Sequence, residues 1–304
     1  MPDSALHALL HDIVDYAGLF PPAQLAMDAA VESYASYLAG PDAWMLGAFV
    51  VPSTRLEELE RAAAPHFAPD APGPRWRVSA LLGAEVEGDV ERVAAFVARH
   101  AAGGRVAVEQ LEAKAVSADD VARVARAARA SGGARSLYVE LPVGPADPRP
   151  LVDAVARVGA RAKVRTGGVT TDAFPPATAL ARFIAACVDA GVPFKATAGL
   201  HHPLRARYPL TYAPNAERGT MYGFLNVFLA AALLGERAVA EEDAVRLLEE
   251  GDPAAFALTD DAIAWRGHAL SRDALVRARA RVATSFGSCS FREPVDDLRS
   301  LGML

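Results

Sequence analysis

Two lysines stand where a chain normally keeps charge out. Lys163 lies inside "RAKVRTGG" (161–168) and Lys195 inside "PFKATAG" (193–199), both short apolar runs of strand type. A lysine there either snorkels to water or is kept for its amine or its charge. An amine attacks a carbonyl only when deprotonated, so its ordinary pKa of about 10.4 must be lowered by burial or by a nearby cation. Side chains two apart share a strand face, which puts Arg165 beside Lys163 and Thr197 beside Lys195. Glu109 in "RVAVEQL" (105–111) and Glu140 in "SLYVELP" (136–142) offer carboxylates for proton transfer on the two preceding runs. Any one of these is readable as a strand-end charge. Four successive runs ending in two acids and two bases point to one shared pocket in which the charges compensate.

Small-residue turns follow the charged runs. Thr166, Gly167 and Gly168 close the first lysine run, and Gly199, His201 and His202 close the second. Gly287, Ser288 and Ser290 lie in "FGSCSF" (286–291) near the C-terminus. Such turns leave backbone N–H groups for an anion or let a ligand approach closely; the alternative is a tight turn that needs glycine anyway. The two histidines are readable as acid–base groups, anion ligands or structural loop residues. Cys289, in the last turn, and Cys187, in a helical pattern, read as buried small residues. Tyr222 and Asn226 share a helix face, where packing requires a partner for the buried amide. Arg205 and Arg207 in "RARYPLTY" read as a solvated loop or a substrate lid.

The elements that must hold these residues alternate. Strand-type runs at 44–52, 75–83, 105–111, 136–142, 161–168 and 193–199 are separated by Ala-, Arg- and Glu-rich stretches at 54–64, 89–102, 117–132, 147–159 and 176–191. Ser117 followed by Asp120 approximates a capping box, and Gly132 and Gly191 fit helix stops. Units of about 30 residues imply parallel strands with helical crossovers. A weak seventh strand is expected at 255–259 and an eighth at 282–289. The expected fold is therefore α/β, a (β/α)8 TIM-type barrel; a doubly wound open sheet is the alternative. The expected organisation is a single domain. It has an N-terminal helical extension over 1–43, a barrel over 44–304 and a helical insertion at about 204–250. The Pro-containing stretch 15–27 is expected to seal the bottom of the barrel, with leaning over its mouth as the alternative. The apolar 222–235 stretch reads as a buried helix or as the face of a possible homo-oligomer.

Composition narrows the function classes. The 304 residues carry a net charge of −6 with no basic block, which argues against nucleic acid and anionic membrane as partners. No run is long enough to span a membrane, and no basic, apolar leader opens the chain. Two cysteines make no disulfide framework and no zinc spacing, which fits the cytoplasm. No cofactor and no metal is expected.

"KVRTGGVT" followed one unit later by "GVPFKATAGL" resembles the two-lysine segment of the deoxyribose-phosphate aldolase family, the class I aldolases. "FGSCSF" is similar to that family's small Gly-Ser phosphate turn. The resemblance covers residues 163–200 and 286–291. It implies that Lys163 forms a Schiff base and that Lys195 lowers its pKa. It also implies an acid on an earlier strand, a place open to Glu109 or Glu140. It places the lysines on strands six and seven, whereas the sequence-based strand count gives five and six. Arg165 and "AGLHH" depart from the family pattern.

Three functions follow. The first is a Schiff-base lyase of aldolase or dehydratase type, acting on a small anionic carbonyl compound, an oxo acid or sugar phosphate. The second is an imine-independent isomerase, decarboxylase or lyase. Its Lys/Arg cluster would stabilise an enolate, with a metal on Glu109 and Glu140 as an option. The third is a barrel that binds an anionic metabolite without turnover.

Overall fold

A computed structural model describes residues 4–130, 132 and 135–304. The chain runs α1 (Ala5–Leu10), β1 (Val14–Tyr16), α2 (Met27–Leu38), β2 (Leu46–Pro52), α3 (Leu56–Ala62) and α4 (Ala64–Phe67). It continues as β3 (Trp76–Leu81), α5 (Val86–His100), β4 (Val106–Lys114), α6 (Ala118–Ala130), β5 (Ser136–Leu141) and α7 (Arg149–Arg157). Then come β6 (Arg161–Arg165), α8 (Ala177–Asp189), β7 (Phe194–Thr197), β8 (Ala206–Pro209), β9 (Arg218–Met221), α9 (Phe224–Gly235) and α10 (Glu241–Leu248). The last elements are β10 (Phe256–Leu258), β11 (Ala262–Trp265), β12 (His268–Ser271), α11 (Arg272–Arg281), β13 (Ala283–Ser288) and α12 (Arg292–Ser300).

Eight parallel strands close into a barrel in the order β1-β13-β7-β6-β5-β4-β3-β2, with helices around it. The (β/α)8 fold expected from the alternating runs is the fold observed. Each strand is apolar outwards, against the helix layer, as a sheet covered on that face requires. Local signals act as the sequence suggests. Ser117 accepts from Asp120 N at 3.1 Å to cap α6, and Gly132 and Gly191 adopt φ of 69° and 63° just past their helices. The expected 117–132 helix is observed over Ala118–Ala130, with residue 131 outside the described residues. α9 is apolar apart from Asn226, and its residues Phe224 to Leu234 are buried inside the chain, so it offers no face to a partner copy.

Two strand assignments change. The first barrel strand is β1, inside the stretch taken as an extension, so only α1 precedes the barrel and the boundary expected at 43 does not hold. Three residues with an aspartate at their centre are too short and too polar to show the apolar run that marked the other strands. The weak 255–259 segment is not a barrel strand. Phe256–Leu258 pairs antiparallel with β11, which pairs with β12 in a separate three-stranded sheet.

Because every barrel strand runs the same way, all strand C-termini open on one mouth. Residues 17–26 follow β1 and therefore lie at that mouth rather than sealing the bottom; Ala17 N donates to Ser288 O at 2.7 Å, at the end of β13. The expected helical insertion begins instead as a two-stranded antiparallel ribbon, β8–β9, also on the mouth side because it follows β7. Among the described residues no helix is long and apolar enough to cross a membrane.

Candidate active site

The barrel lumen is built around Lys163 and Lys195. The two residues are direct cross-strand partners on β6 and β7, and both side chains are buried. Buried ammonium groups need acceptors, and each has them. Lys195 Nζ donates to Asp15 Oδ2 at 2.6 Å, Glu112 Oε1 at 2.6 Å and Gln110 Oε1 at 2.9 Å. Its three protons are thereby all used. Its ammonium also lies 5.1 Å from the centre of the Tyr138 ring. Lys163 Nζ lies 2.7 Å from Glu112 Oε2 and 2.8 Å from Glu140 Oε2. One carboxylate, Glu112, thus bridges both amines.

The carboxylates are themselves held. Asp15 Oδ1 accepts from Ala48 N at 2.7 Å and Oδ2 from Ser285 Oγ at 2.7 Å. Gly47 makes the room: a Cβ there would stand 2.3 Å from Asp15 Oδ1. Ser79 Oγ donates to Glu112 Oε1 at 2.5 Å. Burial would raise the Glu112 pKa, but Lys163 and Lys195 outweigh it and hold the carboxyl far below the ordinary range. Burial likewise opposes ionisation of Glu140, and Lys163, with Arg165 and Lys114 behind it, keeps its pKa low. For Lys195, burial would lower the pKa, yet Asp15 and Glu112 prevail and hold it above the usual lysine value. Lys195 is therefore a fixed cation.

Glu140 opens this network to solvent. With Arg165 and Lys114 it lines a cavity of about 440 Å³ at the mouth, walled otherwise by segments 115–116, 141–143 and 172–176. Arg165 Nε is 3.6 Å and Lys114 Nζ 3.9 Å from Glu140 Oε1. Lys163 is thus one carboxylate removed from a cavity rimmed by two cations.

Of the residues expected from sequence, the fold brings together Lys163, Lys195, Glu140 and Arg165. Thr197 and Gly287 meet just above them, being cross-strand partners, with Thr197 Oγ1 3.2 Å from where a Gly287 Cβ would sit. The others do different work. Glu109 makes no ion pair with either lysine. Val78 pairs with Val108 and Ser79 with Gln110, so Glu109 is the extra residue of a β-bulge and lies near Arg77, lower in the barrel. Thr166 Oγ1 donates to Ala198 O at 2.6 Å and ties the two lysine-strand turns together. Gly167 and Gly199 pack on each other beneath Phe174, and a Cβ on Gly168 would stand 2.7 Å from the Ala173 side chain, so the protein itself takes the space a side chain would need at these turns. Ser288 Oγ bonds Ser290 O at 2.7 Å, and Ser290 Oγ receives Glu293 N at 3.2 Å at the start of α12. His201 Nδ1 is 2.9 Å from Glu293 Oε2 and His202 Nδ1 2.5 Å from Asp297 Oδ2, with His202 stacked on Tyr208. Both histidines pin the β7 turn to α12. Burial, aided by its neighbour His201, lowers the His202 pKa against the pull of Asp297. Asn226 finds its partners in Leu247 O, Glu250 O and Arg205 N.

Asp15, Gln110 and Glu112 were not singled out in the sequence. The signal for Glu112 was a carboxylate three residues past Glu109, hidden by the bulge; that for Asp15 was "DIVDY", an apolar pair leading into an acid. Among the described residues no cluster of three or more His, Cys, Asp or Glu is arranged to hold a metal ion. No protein-family model matches the chain, and no curated protein matches it.

Proposed function

We propose that the protein is a class I aldolase-like lyase in which Lys163 forms a Schiff base with a small anionic carbonyl compound. The observation that carries this reading is the single carboxylate of Glu112 lying 2.7 Å from the Lys163 amine and 2.6 Å from that of Lys195, on facing positions of adjacent strands. Lys195 is unsuited to attack, since all its protons are bonded and its pKa is raised. Lys163 has two carboxylate partners, Glu112 and Glu140, and the second lines the mouth cavity. Once β1 is counted, the lysines stand on the sixth and seventh strands, where the resemblance to deoxyribose-phosphate aldolases puts them. Glu112 takes the place of the acid that the resemblance assigns to an earlier strand.

The chemistry runs through these groups. Lys163 passes a proton out through its carboxylate partners, Glu140 at the cavity being the exit, and its lone pair attacks the carbonyl carbon to form a carbinolamine. The same carboxylates return protons to the leaving hydroxyl, and water departs to give the protonated imine. A carboxylate takes the proton of the substrate's β-hydroxyl as the bond between the α and β carbons breaks; the β fragment leaves as an aldehyde or ketone, the iminium takes up the electron pair to become an enamine, and the enamine is protonated at the α carbon and hydrolysed by water. Lys195 keeps one positive charge in the lumen throughout. Arg165 and Lys114 attract the anionic substrate to the mouth.

Incubation with small aldehydes, ketones and 2-oxo acids plus borohydride tests the reading. Adduct on Lys163, absent in Lys163→Met and retained at a reduced rate in Lys195→Met, is the expected result. A second reading rests on the pairing of Lys163 with two carboxylates, Glu112 at 2.7 Å and Glu140 at 2.8 Å, as a charged group at the end of the lumen. A lyase or isomerase using that charge to stabilise an enolate would turn over substrate with no trappable adduct.

A further inference from the structure

The β8–β9 ribbon carries a second cationic surface outside the lumen. Its register pairs Arg207 with Thr220 and Pro209 with Arg218. Alternation along the strands therefore puts Arg205, Arg207, Arg218, Thr220 and Tyr222 on one face. That face lines a cavity of about 570 Å³ at the mouth side of the barrel, closed opposite by Thr171, Phe174 and the start of α8. Phe174 and Pro176 also line the cavity containing Glu140, so one wall separates the two.

The guanidinium groups are unusually placed. Arg218 Nη2 donates to Arg207 O at 2.7 Å, Arg207 Nη2 to Arg218 O at 3.1 Å and Arg205 Nη1 to Glu249 O at 3.4 Å. All of these acceptors are backbone carbonyls. Among the described residues no carboxylate makes an ion pair with any of the three, although Glu249 lines the cavity and Glu217 adjoins Arg218. Like charges close together on a ribbon repel, and among the described residues no carboxylate pairs with them. The other contribution comes from α8. Its first turn has no side-chain cap, and Pro176 and Ala177 at its start face the same cavity, adding the positive end of a 13-residue helix.

We propose that this ribbon face binds a phosphate-class oxyanion, held by forked bonds from Arg207 and Arg218 and by the start of α8. Guanidinium forks match phosphate oxygens two at a time, which an isolated lysine charge does not. The phosphate belongs either to the distal end of an extended substrate or to a separate phosphorylated ligand. The substrate source rests on the lyase reading above; the site itself does not.

Calorimetric titration of the full-length protein with inorganic pyrophosphate tests the site whether or not Lys163 forms an imine. The expected result is saturable binding, weakened at least about tenfold in Arg207→Gln/Arg218→Gln through loss of charged hydrogen bonds. Arg237→Gln, at an exposed pair with Asp189 on a different helix end, should bind as the wild type does. Circular dichroism confirms that the variants are folded. Equal binding by wild type and the double variant, or no saturable binding, overturns the proposal. Borohydride trapping in the presence of pyrophosphate separates the sources. Inhibition of trapping for a phosphorylated carbonyl compound but not for its unphosphorylated analogue assigns the groove to the substrate. Inhibition of neither assigns it to a separate ligand. Inhibition of both puts the anion at the lumen mouth and overturns the ribbon site.

Discussion

The lumen and the ribbon hold their cations in opposite ways. In the lumen, Lys163 and Lys195 are buried and matched by Asp15, Glu112 and Glu140, with hydroxyls and amides occupying the remaining lone pairs. On the ribbon, Arg207 and Arg218 are exposed and bonded only to carbonyls. A buried charge must be compensated by the chain because water cannot reach it. An exposed one is left uncompensated at little cost, and is then available to a ligand. Saturated charge suits groups that must stay in place while a proton moves; unsaturated charge suits recognition.

The largest effect should separate the two regions by stability. Glu112→Gln leaves two buried ammonium groups short of a partner and should cost about 3–5 kcal/mol, read by denaturant unfolding. Arg207→Gln/Arg218→Gln should stay within about 0.5 kcal/mol of wild type. Equal losses would break the contrast between a compensated and an uncompensated region.

The pH dependence of unfolding sharpens it. Glu112 and Glu140 have lowered pKa values in the folded chain, so their contribution is present above the ordinary carboxylate range and is lost as pH falls through the folded values. Lys195 has a raised pKa, so its contribution is present below the ordinary lysine value and fades only as pH rises through the higher folded one. Thermal unfolding should therefore show a plateau through neutral pH with an acid limb. The ribbon variants should keep that limb unchanged, and Glu112→Gln should shrink it.

The smallest effect probes the link between the regions. Tyr212, in the turn of the ribbon, donates to Glu293 Oε2 at 2.9 Å, and Glu293 also holds His201. Tyr212→Phe should loosen the ribbon by up to about 1 kcal/mol, the worth of one such bond. Hydrogen exchange should quicken at the β8–β9 amides and stay unchanged at β6 and β7. Faster exchange at β6 as well would mean that the two regions open together.

The sequence made the barrel readable wherever a strand was long and apolar, which covers β2 to β7 and β13. It hid β1, because a three-residue strand with Asp15 pointing into the lumen has no apolar run to display. The lysines were legible because ammonium groups interrupt otherwise apolar runs, and Glu140 because it ends one. Glu112 was not, because alternation counted from the start of β4 is broken at the bulge, and because the strand runs on to Lys114. The turn residues were legible as turns, but whether Gly167 and Gly199 leave room for an anion depends on Phe174, which the local sequence does not place.

The bulge at Glu109 acts as a phase shifter. Before it, β4 keeps one alternation; after it, the alternation is offset by one residue, and that offset aims Gln110 and Glu112 inward and Leu111 and Ala113 at the helices. Were β4 to run through these same residues in unbroken alternation, with no bulge, every later side chain of the strand would turn to the opposite face. Leu111 would enter the lumen, Glu112 would meet apolar helices, and both lysines would lose the acid they share. The charge network of this barrel thus hangs on a count of one.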